Sequence, residues 1–191
     1  MENKINEIVS DSIEKLKQNL INKIEINQLH IDNSFFDEKY RSTVNITEDL
    51  KIFNDLLKIK KPVLYWFEFE SSEEKTLLIR NKYENYRNNI KLDYLNINYR
   101  NTSSFKSKYQ NTSKTLYVGK VEKDFWGRLV THLGYNKTPK TAGMQLHYWY
   151  RIEDFGDLNL YYIEFDDSMK YLISIIEKQL ALYLNPLIGK Y

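Results

Sequence analysis

The sequence predicts an α+β fold: a small central β-sheet of about three core strands flanked by helices, with a helical region at the N-terminal end. Two observations predict it. Three runs rich in β-branched and aromatic residues, Val63 to Phe69 (VLYWFEF), Thr115 to Val121 (TLYVGKV) and Leu158 to Phe165 (LNLYYIEF), read as strands. Around them, apolar residues recur at three- and four-residue steps, which is the spacing of one helix face.

In chain order, Ile5, Ile8, Val9, Ile13, Leu16, Leu20 and Ile24 make one amphipathic helix whose stripe should face a core. Thr47-Glu48-Asp49 reads as a helix start leading to Leu50, Phe53, Leu56 and Leu57. Lys60-Lys61-Pro62 ends it, because proline and the residue before it disfavour α geometry. Residues 1–60 are thus expected to be mostly helical and to precede a domain spanning 61–191. After the first strand, Ser72-Glu73-Glu74 caps a helix to about Asn89. Residues 100–114 are polar without a period and read as a loop. Phe125, Leu129 and Leu133 mark a short helix begun at Asp124, and Asn136 to Met144 reads as a loop. Gln145 to Arg151 is expected as a further strand, and Ser168 to Leu184 as the final helix, stopped at Asn185-Pro186. Gly119, inside a strand, marks a turn or bulge.

Cysteine is absent, which excludes disulfides, Cys-ligated zinc, iron–sulfur clusters and thiol nucleophiles. No apolar run approaches the roughly 18 residues of a membrane span, and Met1 to Lys23 lacks the pattern of a signal peptide, so a cytoplasmic protein with no membrane partner is expected. The net charge of +2 is uninformative, but its distribution is not. Residues 100–151 hold ten basic residues against two acidic ones, a net +8, which leaves −6 for the rest of the chain. A basic stretch on an acidic chain suits a polyanion, although solvated loop lysines would give the same count.

Phosphodiester hydrolysis needs a group that orients water, a divalent cation and a fixed positive charge for the developing oxyanion. Mg²⁺ keeps most of its waters and needs only one or two carboxylates. The chain offers such parts in a definite order: Tyr65 on the first strand, Tyr117-Val118-Gly119-Lys120 on the second, Arg128 and His132 one helical turn apart, and Glu177 on the last helix. This order resembles the GIY-YIG nuclease superfamily over roughly residues 62–70 and 113–191, with Pro186 following Glu177 as it does there. Two departures stand out. About forty residues separate the two tyrosine motifs, so the resemblance implies an insertion at about 71–112, and Gly189 occupies the position where an asparagine usually follows the proline.

The resemblance implies a Mg²⁺- or Mn²⁺-dependent endonuclease acting on DNA. Glu177 would be the metal ligand and Arg128 the phosphate anchor. Tyr65 or Tyr117 would orient or deprotonate water, and His132 would protonate the leaving group or hold a phosphate oxygen. Lys120, with Lys137 and Lys140 in the loop 137–144, would contact the substrate. Singly, each residue has a plainer reading: a packed strand tyrosine, a solvated Arg–His face, a surface glutamate. The alternative functions are a catalytically weak or inactive nucleic-acid-binding module of the same fold, and a protein-interaction domain that docks through the N-terminal helices. His147 and Trp149 read as packed, and Asp166 and Asp167 as a helix N-cap in preference to metal ligands.

Overall fold

A computed structural model describes residues 2–21, 24–42, 55–70, 72–92, 101–105, 110–136 and 141–190. The fold is α+β. One antiparallel sheet of four strands, β1 (Asn27–Ile31), β2 (Val63–Phe69), β3 (Thr115–Val121) and β4 (Leu158–Glu164), runs in the order β1-β4-β2-β3. Among the described residues, six α-helices are delimited around it: α1 (Glu2–Ile21), α2 (Lys39–Ser42), α3 (Glu73–Leu92), α4 (Phe125–Leu133), α5 (Ile152–Phe155) and α6 (Ile173–Leu184). Among the described residues no helix is long and apolar enough to cross a membrane.

The three expected strands form at their expected places, and the order puts β2 in the middle. That position explains why VLYWFEF has no polar alternation: six of its seven residues are buried, because both faces are covered. A fourth strand, β1, comes from the region expected to be mostly helical. Its alternation is short, with Leu29 and Ile31 buried opposite Leu160 and Leu158, and the intervening His30 faces Asn159. Two apolar residues in five are too few to announce a strand before its partner is known.

On one face of the sheet, Tyr65, Phe67 and Phe69 stand beside Tyr117, Leu158, Leu160 and Tyr162 in the main core, which α4 closes with Phe125, Leu129 and Leu133. On the other face, α6 lies over Leu64, Trp66 and Val118 through Ile173, Leu180, Ala181 and Leu184. The apolar stripe of α1 does not face a core along its length. Ile5, Ile8, Val9 and Ile13 are about half exposed, and Leu16 packs against the Leu64–Phe165–Met169–Ile173 cluster. The helix start expected at Thr47 to Phe53 lies outside the described residues, and a helical turn at 55–57 ends before Pro62 as expected.

Gln145 to Arg151 is not a strand. Gln145 has a left-handed backbone (φ 59°), and Leu146–Tyr148 forms a 3₁₀ turn. Its buried apolar residues Leu146, Trp149 and Tyr150 follow helical spacing, and the Trp149 indole N–H donates to the Met144 carbonyl at 2.7 Å. The last helix begins later than expected, with a 3₁₀ turn at Asp167–Met169 before α6, and Asp166 caps that turn without a side-chain hydrogen bond. Beyond α6 the chain returns along β3. The Leu187 N–H donates to the Thr115 carbonyl at 3.0 Å and the Ile188 N–H to the Leu116 carbonyl at 2.9 Å, so the tail covers the sheet's edge.

Candidate active site

The site begins with one close approach inside the sheet. Tyr65 and Gly119 are direct partners across β2 and β3. A Cβ on Gly119 would lie 2.6 Å from both the Tyr65 Oη and the Tyr117 Cε1. Glycine is therefore required there so that the two phenols can lie over the strand, stacked at 6.1 Å. Gly119 does not mark a turn or bulge: β3 passes straight through it, and the one irregularity in the pairing falls between Phe67 and Glu68.

Helix α4 lays a cation on these hydroxyls. Asp124 caps the helix by accepting the Gly127 N–H at 3.1 Å, and Gly134 ends it in a left-handed conformation (φ 102°). Within it, Arg128 and His132 point together at the sheet. Arg128 donates from Nε to the Tyr65 Oη (3.0 Å), from Nη2 to the Tyr117 Oη (3.1 Å) and from Nη1 to the Ala142 carbonyl (2.8 Å). Among the described residues three of its five N–H groups are thus engaged by protein, which leaves two for a ligand. The result is a planar cation held in one orientation.

His132 is completely buried. Its Nδ1 accepts the Met144 backbone N–H at 3.3 Å, so in the neutral ring Nε2 bears the proton and donates it to the Tyr65 Oη at 2.9 Å. Burial first, then the neighbouring Arg128 charge, hold its pKa well below the usual histidine value. Fully buried and with both nitrogens engaged by protein, His132 stands against the Tyr65 hydroxyl, away from the cleft where the resemblance would have it protonate the leaving group or hold a phosphate oxygen. Burial, reinforced by Tyr117, pushes the Tyr65 phenol above its ordinary pKa despite Arg128. Tyr65 is therefore a neutral hydroxyl that receives two donors.

These residues back onto a cleft of about 400 Å³ lined by Tyr117, Val118, Lys120, Arg128, Ala142 and Glu177, together with Thr102, Ser103, Ser104, Gly189 and Lys190. Of the expected site residues, Tyr117, Arg128, Lys120 and Glu177 meet at this cleft, whereas Tyr65 and His132 stand behind it. Lys137 and Lys140 lie outside the described residues. Glu177 is half-buried. Burial raises its carboxyl pKa, and the Lys120 and Arg128 charges oppose the rise. Lys120 is held by Glu122 at 3.1 Å, and Lys170 reaches the other oxygen of Glu122 at 3.5 Å.

Among the described residues Glu177 is the single carboxylate on the cleft, which the hydroxyl-bearing side chains of Tyr117 and Ser103 also line. This donor set fits a hard divalent cation that keeps most of its waters. Among the described residues no group of three His, Asp or Glu side chains could enclose an ion. His147, expected to be packed, is buried between Tyr135 and Glu38, and His30 sits at an exposed edge beside Asp157.

Sequence reasoning missed Lys190 and the segment 102–104. The latter reaches the cleft through pairing: the Ser103 N–H donates to the Gly143 carbonyl at 2.9 Å, and the Gly189 N–H to the Ser104 carbonyl at 2.9 Å. No local pattern announces a contact between such distant segments. Gly189 itself adopts φ 143°, a conformation strained for any residue with a Cβ, and the space beside it is open. An asparagine could not stand there without a backbone change. In comparisons with known proteins, no family model, curated protein or solved structure matches this chain.

Proposed function

We propose that this chain is a divalent-metal-dependent endonuclease of the GIY-YIG kind that hydrolyses DNA phosphodiester bonds. The observation that carries the reading is the Arg128 guanidinium, fixed by Tyr65, Tyr117 and Ala142 at a cleft whose only carboxylate among the described residues is Glu177. A fixed, always-charged fork with free N–H groups is costly to build and suits an anionic transition state. The antiparallel β2–β3 pair, the helix carrying Arg128 and His132, and a later helix carrying Glu177 also fit the family order.

In this mechanism Arg128 binds the nonbridging oxygens of the scissile phosphate, and Lys120 adds charge nearby. The Tyr117 hydroxyl, which faces the cleft, orients the attacking water; Tyr65 and His132 keep Arg128 in place from behind. Glu177 would hold the divalent ion, which when bound neutralises the phosphate and favours ionisation of water. One P–O bond forms to the water oxygen as the bond to the leaving oxygen breaks, the attacking water giving up a proton to solvent and the leaving oxygen taking one from it.

A specific observation favours a second reading, a nucleic-acid-binding module that does not cut: the open space at Gly189, where the family pattern has an asparagine. Incubating supercoiled plasmid with Mg²⁺ or Mn²⁺ separates the two. The endonuclease reading expects nicking by the wild type and none by Glu177→Ala or Arg128→Ala. Salt-sensitive binding without nicking by any of them would favour the module.

A further inference from the structure

We infer that Ser104 and Lys190 form a second phosphate subsite, which holds the nucleotide next to the one being cut. The inference rests on the nuclease reading and concerns parts of the chain outside the residues that carry it. Among the described residues Arg128 has two free N–H groups, which one phosphate group would occupy. The cleft, at about 400 Å³, has more room than one phosphate group fills, and a nucleic-acid strand brings one phosphate per nucleotide. A neighbouring phosphate needs a cation and donors of its own.

The rim made by Ser104, Gly189 and Lys190 supplies them. Lys190 is exposed, lines the cleft and makes no ion pair among the described residues. It shares that cleft with Arg128 and Glu177, which puts it beside the reacting centre. The Ser104 hydroxyl likewise has no protein partner among the described residues, while its carbonyl accepts the Gly189 N–H at 2.9 Å and ties the two segments together. Between them Gly189 presents no side chain, and a Cβ there would touch nothing within 4 Å. A strand backbone can therefore pass over it. The inserted segment and the chain's tail are in this way one binding surface, with a free cation, a free hydroxyl and an open lane.

The test uses the full chain and an oligonucleotide whose cut position has been mapped. Lys190→Ala and Ser104→Ala should raise KM several-fold while kcat stays within about twofold, since the contact is made equally in the ground and transition states. Binding measured with Glu177→Gln and Lys190→Ala together should lose about 0.9 from the salt slope of Glu177→Gln alone. Replacing the phosphate adjacent to the cut by a neutral methylphosphonate should weaken the wild type but not weaken Lys190→Ala further. Additive losses from the methylphosphonate and the Lys190 substitution, or unchanged KM and salt slope, would overturn the subsite and leave the nuclease reading intact. Absence of both cleavage and salt-sensitive binding in the wild type would overturn the two together.

Discussion

On the face of the sheet that carries Tyr65 and Phe67, aromatic rings and hydrogen bonds lock one another; on the face that carries Leu64 and Trp66, apolar residues leave a groove. The first face has Phe67 fully buried, Tyr65 edge-on to it at 6.1 Å, and His132 packed against both. There the hydroxyls of Tyr65 and Tyr117 and both ring nitrogens of His132 have partners of definite geometry. The second face is covered by α6 and by Leu16 of α1, with Trp66 stacked on Tyr161 at 5.4 Å, and it retains an apolar groove of about 670 Å³. The difference teaches where precision is needed. A cation that must stand in one place requires a rigid wall behind it, whereas a helix that needs only to deliver Glu177 can rest on looser packing.

Four substitutions would break or sharpen this contrast. The largest effect is expected for Phe67→Ala, which empties the tight face and should cost about 3–5 kcal/mol in urea denaturation. A cost equal to that of a surface change would mean that the face is not the rigid one. Next, Gly119→Ala drives a Cβ into both phenols and should cost about 1–3 kcal/mol, with a loss of any cleavage out of proportion to the loss of stability. Wild-type thermal stability and activity in that variant would refute the close approach.

Leu180→Ala on the looser face should cost only about 1 kcal/mol, because Leu180 is partly buried beside an open groove. A loss as large as that of Phe67→Ala would erase the contrast. The smallest effect is electrostatic. The folded pKa of Glu177 is raised above its ordinary value of 4.5, so the folded state binds the proton more tightly than the unfolded one. Its contribution to stability is therefore full below pH 4.5 and is lost as pH rises through the raised value. Glu177→Gln should accordingly have a higher Tm than wild type at pH 7, with the difference gone below pH 4.5. A lower Tm at pH 7 would show that Glu177 is stabilised by its surroundings instead of strained.

The same contrast explains what the sequence reveals in advance. β2 and β3 are legible to their end residues because strongly apolar runs bounded by Pro62 and by polar loops have no other packed solution. Helix α4 is legible because Phe125, Leu129 and Leu133 recur at four-residue spacing directly after Asp124, which caps it. By contrast, β1 depends on a partner strand far along the chain, and α1 is read correctly as a helix while the exposure of its stripe depends on what lies beside it. In the site, Tyr117, Lys120, Arg128 and Glu177 are recoverable from order and spacing. The standing of Tyr65 and His132 behind the cleft is not, because it follows from the Gly119 contact and the Met144 hydrogen bond. Ser104 and Lys190 carry no local signal at all.

The central claim is that Arg128 is held as a fixed fork for a phosphate undergoing attack. Its most direct test is the cleavage rate of Arg128→Lys on supercoiled plasmid with Mg²⁺, beside wild type and with unfolding midpoints measured on both proteins. Lysine keeps the charge but lacks the planar fork and the bonds to Tyr65, Tyr117 and Ala142. The account predicts nicking by wild type and a loss of about 10²–10³-fold in a folded Arg128→Lys protein. Equal rates in the two proteins would contradict it.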